Sequence, residues 1–117
     1  MRVYDAAGHG PDFNVTGMRE SSILKIARVS TTRVLPGETY HSHPKATEYY
    51  LMDSGIMRVR IGPQLVTITE GKVLEVGPGE KHGIEEVVGH ADYWVINTET
   101  DPLDKIVEPW PIRHPNK

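Results

Sequence analysis

Nine prolines and eleven glycines interrupt this 117-residue chain every few residues, and the runs between them are short and rich in β-branched side chains. That punctuation is the pattern of a many-stranded antiparallel fold. The candidate strands are residues 23–34, 39–43, 48–53, 56–61, 64–69, 73–76, 83–88 and 92–97. Turns are expected at Leu35-Pro36-Gly37, Pro44-Lys45, Asp53-Ser54-Gly55, Gly62-Pro63, Glu70-Gly71 and Gly77-Pro78-Gly79. Gly62-Pro63 is the tightest hairpin signal among them. No stretch keeps an apolar repeat at helical spacing over three turns. The best helical candidate is a short turn at Asp101–Lys105, where Asp101 can cap and Pro102 can open a first turn. Eight or so short strands must hide their edges, so the expected fold class is all-β, as a sandwich, jelly roll or closed barrel.

The length fits one domain over residues 1–117, with a barrel core at about 23–98. A proline-rich tail, about 107–117, is expected to lie on the surface or reach a neighbour. Thirteen basic and sixteen acidic side chains give a net charge of −3 with no long block of either sign. That balance gives no electrostatic reason to expect nucleic acid or an anionic membrane as partner. The absence of cysteine removes disulfides, thiolate metal clusters and cysteine nucleophiles from consideration. The sequence MRVYDAAGHGPDF has no apolar core of signal-peptide length, and no segment approaches the ~18 apolar residues of a membrane span, so a cytoplasmic location is expected.

Two clusters carry the chemistry. The first runs from Gly37 through His41, His43 and Glu48 to Gly55. Strand side chains two apart share a face, so His41 and His43 aim the same way. Pro44 and Lys45 then turn the chain and let Glu48 open the adjacent strand beside the two imidazoles. Two neutral nitrogens and a carboxylate oxygen at one point suit a divalent first-row metal. The second cluster, Gly71 to Gly77-Pro78-Gly79 and His82, delivers a fourth potential ligand at the start of another strand. Six histidines in 117 positions give roughly 0.3 HxH pairs by chance, so that pair alone decides little. The joint pattern is what carries weight.

At these residues the sequence resembles the cupin superfamily. Its first motif is matched in spacing by His41, His43, Glu48 and Gly55, and its second by Gly71, Gly79 and His82. Together they span residues 37–86, a little under half the chain. There are three departures: three residues rather than five separate Gly37 from His41, Pro78 directly precedes Gly79, and Glu86 stands where the family has asparagine. The resemblance implies a double-stranded β-helix, or jelly-roll barrel, and one divalent ion (Fe, Mn, Ni, Co or Zn) on His41, His43, Glu48 and His82. It also implies a homodimer. Four protein ligands on an octahedral ion leave two positions open for a small-molecule ligand. The expected activity is Lewis-acid catalysis on a small oxygenated substrate by an isomerase, cyclase or lyase. Iron-dependent dioxygenation and non-catalytic ligand binding are the alternatives.

Glu86 shares the strand parity of His82 and Ile84 and is a candidate acid/base, as is Tyr50, which shares the parity of Glu48. Met52 and Val95 are expected in the core, and Tyr93 and Asn97 are candidates to bond a ligand. Arg58 and Arg60 share a face, which gives no preference for a phosphorylated substrate unless that face is inward. His9, His90 and His114 read as surface residues, and Trp94 and Trp110 as packing or interface residues.

Overall fold

The computed structural model describes residues 1–5, 25–99, 101 and 103–111. Among these residues the chain forms eight strands: β1 (Arg2–Asp5), β2 (Lys25–Thr31), β3 (Tyr40–Ser42), β4 (Glu48–Ile61), β5 (Gln64–Thr69), β6 (Lys72–Val76), β7 (His82–Asn97) and β8 (Ile106–Glu108). All pairings are antiparallel, in the order β1-β6-β4-β7-β3-β8, with β2 added to β7 and β5 to β4. No helix among the described residues is long and apolar enough to cross a membrane.

The long β4–β7 ribbon organises everything else. Along one edge β4 pairs first with β6 and then, past Gly55, with β5. Likewise β7 pairs with β3 at His82 and with β2 over Ala91–Asn97. A strand that changes partners halfway must bend, and three register shifts, at Met52/Ser54, Gly55/Ile56 and Arg58/Val59, supply the bend. Gly55 is required there: its φ is +88°, and an added Cβ would sit 2.0 Å from the His90 carbonyl oxygen.

These bulges change which side chains face inward. Tyr50 and Met52 are buried before Gly55, whereas Met57, Val59 and Ile61 are buried after it, so the inward set moves from even to odd numbers. One core results, built from both ends of the ribbon together with Ile68, Leu74, Val76, Ile84, Ala91 and Tyr93. Met52 lies in it and Val95 packs against it, as expected.

Several boundaries differ from the sequence reading. The expected turn at Asp53–Gly55 is a bulge inside one 14-residue strand, and the strands expected at 83–88 and 92–97 form one 16-residue strand. The described residues of the 101–105 segment form no helix. Leu103 N–H donates to Asp101 Oδ1 at 2.9 Å and Asp104 N–H to Asp101 O at 3.1 Å, making a local turn before β8. Strands β1 and β8 were not expected from sequence, because each is short and gains its stability from a partner far along the chain. The hairpin at Gly62-Pro63 forms as expected, with Ile61 opposite Gln64.

Candidate metal centre

Three elements bring the four expected ligands together. His41 lies in β3 and His43 just beyond it, Glu48 opens β4, and His82 opens β7 directly opposite His41. One ligand atom from each of the four falls within 4.8 Å of all the others, and every one of these side chains is buried. The cluster can therefore hold a single divalent cation. His82 is fully enclosed. The other three line a pocket of about 300 Å³ with aliphatic walls from Val29, Leu35, Ile84 and Val95.

Each imidazole is anchored from behind by a backbone carbonyl. His41 Nδ1 lies 2.8 Å from Thr39 O, His43 Nδ1 2.7 Å from Asp104 O, and His82 Nδ1 3.0 Å from Glu80 O. A carbonyl can only accept, so all three rings carry a proton on Nδ1 and, when neutral, present a lone pair on Nε2. His43 Nε2 is buried and has no hydrogen-bond partner among the described residues. It lies 3.0 Å from Glu48 Oε2, off the line a hydrogen bond needs. His82 Nε2 faces Glu48 Oε1 at the same distance. A lone pair held against an anionic oxygen requires a positive charge between them, which a bound proton or a metal ion supplies. The donor set therefore fits a metal.

Burial and neighbouring charge act differently on His41, His43 and Glu48. Burial, reinforced by the neighbouring His82, pulls His41 down to about 4, so it is a neutral donor at neutral pH. The Glu48 carboxylate raises His43 above the ordinary histidine value, against the opposing effect of burial. Burial alone would raise Glu48, but contacts from His43, His82 and Tyr50 outweigh it and hold the carboxyl well below the usual range. Glu48 is thus ionised and aimed.

Tyr50 and Asn97 serve Glu48. The Tyr50 hydroxyl donates to Oε1 at 2.5 Å, and Asn97 Nδ2 donates to Oε2 at 3.2 Å. Burial, followed by the Glu48 charge, raises the Tyr50 phenol well above its ordinary value. Tyr93 lines the pocket and is likewise pushed up to about 12, mainly by burial.

Glu86 is not in the pocket. Val59 pairs with Ile84 and Arg58 with Glu86, which leaves Glu85 as the extra residue of a bulge and reverses the parity beyond it. The Glu86 side chain is half exposed and lies 2.6 Å from Arg58 Nη1. Arg60 also faces away from the pocket, with its Nε 2.9 Å from Glu85. The inward carboxyl is Glu38, a residue the sequence reading passed over. Its Oε1 accepts the Ile84 N–H at 3.1 Å, it lines the pocket, and burial raises its carboxyl above the ordinary value. Its position straight after the Pro36-Gly37 turn and ahead of His41 was its only sequence signal. Lys105 also lines the pocket.

Among the remaining expectations, His90 is exposed, and His9 and His114 lie outside the described residues. Trp94 lies on the surface with Arg28 over its ring at 5.1 Å, and Trp110 packs against Tyr40 with ring centroids 5.3 Å apart.

No protein-family profile matches the sequence, and no curated protein matches it. Solved structures do resemble it. A variant of Streptomyces Pac13 with uridine, described elsewhere as a nucleoside dehydratase, superposes with a TM-score of 0.63 at 14% identity, over 79% of this chain and 72% of that one. A conserved Klebsiella pneumoniae protein with a double-stranded β-helix domain gives 0.63 at 13% identity, over 79% and 80%. The DMSP lyase DddQ from Ruegeria pomeroyi gives 0.59 at 18% identity, over 74% of this chain and 44% of that one. An all-β sheet curled around a buried His/Glu cluster, with these neighbours, defines the double-stranded β-helix class. Within that class the chain has the cupin fold, as its two motifs implied.

Proposed function

We propose that this protein is a metal-dependent enzyme acting on a small oxygenated substrate by Lewis-acid catalysis, in a reaction of the lyase, cyclase or isomerase kind. The observation that carries the proposal is the convergence of three imidazoles, each held by a carbonyl on Nδ1, with an ionised Glu48 at the floor of a pocket. Two proteins of similar structure, the dehydratase Pac13 and the lyase DddQ, carry out the same kind of chemistry.

A bound divalent ion would supply the positive charge that polarises a substrate oxygen. His41, His43, Glu48 and His82 would hold it, with His82 sealed behind and the other three facing the pocket. The aliphatic walls take up the substrate's carbon skeleton and exclude water, which strengthens every charge interaction inside. Glu38 is the proton-transfer group of this proposal. It is the pocket carboxyl not committed to the cluster, and its burial lets it keep a proton to higher pH than an ordinary glutamate. Tyr50 is engaged on Glu48 and orients it. Lys105 and Tyr93 remain to bond polar groups of the substrate.

Elemental analysis of protein purified without chelator or nickel resin tests the proposal, beside a His41→Ala/His43→Ala variant. About one divalent metal per chain, lost in the variant, supports it. No metal in either protein, and none taken up on reconstitution, overturns it. Oxygen consumption by the iron-loaded form would instead favour a dioxygenase.

A further inference from the structure

We propose that residues 103–111 act as a latch on the metal centre, with Asp104 as a positioning residue whose docking sets His43 for metal binding. The proposal rests on the metal reading above and adds a coupling to it. Asp104 carries a charge yet is only 6% exposed. Its two carboxylate oxygens accept the N–H groups of Lys45 and Ala46, at 2.9 and 3.0 Å. Its backbone carbonyl accepts the proton on His43 Nδ1 at 2.7 Å, across 61 residues of sequence. One residue therefore grips both the imidazole and the turn that follows it.

The rest of the segment repeats this arrangement. β8 pairs with β3, the strand of His41, placing Val107 opposite His41. Trp110 packs on Tyr40 and lies over Gly83, the residue next to His82, so closely that a Cβ on Gly83 would fall 2.5 Å from its ring. The same segment brings Lys105 to the pocket. Each histidine thus has the segment touching it or its chain neighbour.

The latch is also weakly held. Leu103, Ile106 and Val107 are exposed and β8 has three residues, so Trp110 supplies most of the apolar contact that fixes it. Segments with few buried contacts open at free energies well below global unfolding. When this one opens, His43 loses the Asp104 carbonyl on Nδ1 and is free to rotate and to change tautomer. Metal binding and latch docking must then favour each other by the same factor.

The test measures zinc affinity, by competition with a chromophoric chelator, in the wild type, Asp104→Asn and Trp110→Ala. It also follows tryptic cleavage after Lys105 by mass spectrometry, with and without zinc. We expect zinc binding ~10- to 100-fold weaker in both variants, the range typical when a group orienting a ligand is lost. Saturating zinc should slow cleavage after Lys105 in the wild type. A purely structural role predicts lower melting temperatures for the metal-free variants with zinc affinity unchanged. That result, or cleavage indifferent to zinc, overturns the latch and leaves the metal centre standing. Failure of the wild type to bind zinc, or any other divalent metal, overturns both. Should Asp104→Asn fail to fold, Trp110→Ala decides the matter, since it loosens the docking of the segment on Tyr40 without altering any hydrogen-bonding group of Asp104.

Discussion

Replacing Gly55 with alanine should cost this fold about 2–5 kcal/mol, and the figure can be built from two separate terms. Gly55 has a φ of +88°, and holding an L-residue in that region costs ~1–2 kcal/mol. The second term is steric. The new Cβ would lie 2.0 Å from the His90 carbonyl oxygen and 2.9 Å from Ala91 Cα, whereas ordinary contact begins at about 3.4 Å. Both obstacles are backbone, so the β4–β7 ribbon must part by more than an ångström at the point where Gly55 faces Ala91. Losing or distorting one or two hydrogen bonds there costs about 1–3 kcal/mol. Gly89→Ala is the matched control: its φ is +75°, but no atom lies within 4 Å of the new Cβ, so only the first term applies. Urea unfolding measures both. With a slope of roughly 1–3 kcal/mol/M, the midpoint should fall by about 2 M for Gly55→Ala and by less than 1 M for Gly89→Ala. Equal shifts in the two variants would refute the steric half of the reasoning, and with it the account of why the ribbon bends at residue 55.

Two further outcomes are expected. Glu38→Gln should stabilise chelator-treated protein at pH 7.5, because burial raises the folded-state carboxyl above its unfolded value of 4.5 and makes ionisation on the native protein unfavourable. The sign follows: the gain is absent below pH 4.5, where the carboxyl is protonated in both states, and grows as pH rises through the folded-state value. Thermal melts from pH 4.5 to 8 check it, and a gap independent of pH would contradict it. Glu86→Gln should leave metal content unchanged and shift stability by less than about 0.5 kcal/mol, since its partner Arg58 is an exposed ion pair; a large loss of bound metal would show that the carboxylate reaches the pocket after all.

The four clustered residues were legible because their placement depends on local rules. Two histidines two apart share a strand face, a Pro44-Lys45 turn reverses the chain, and Glu48 then opens the neighbouring strand. Parity counting also placed Tyr50 and Met52 correctly, as both lie in the same strand half as Glu48. It failed for Glu86, because the bulge at Glu85 is set by pairing with β4, some 25 residues away, and leaves no local signature. Gly55 was read as a turn for a related reason: a positive-φ glycine serves a hairpin and a bulge equally well. Asp104 could not be found from sequence, since its roles toward His43, Lys45 and Ala46 exist only once β8 has docked on β3.

The carbonyl backing of the three histidines also sets the charge that the four clustered side chains would present around a metal. Because neutral oxygens, rather than carboxylates, receive the Nδ1 protons, each imidazole would serve a metal as an uncharged ligand, and Glu48 would be the one anionic ligand of the four. A divalent ion held by them would keep a net charge of about +1, beside the pocket's own Glu38 and Lys105. Arithmetic of that sign favours anionic or strongly polarised oxygen groups over neutral ones. An alcohol should bind weakly where the corresponding carboxylate or enolate binds well, which makes the ionisation state of a compound a sorting rule when candidates for this pocket are chosen.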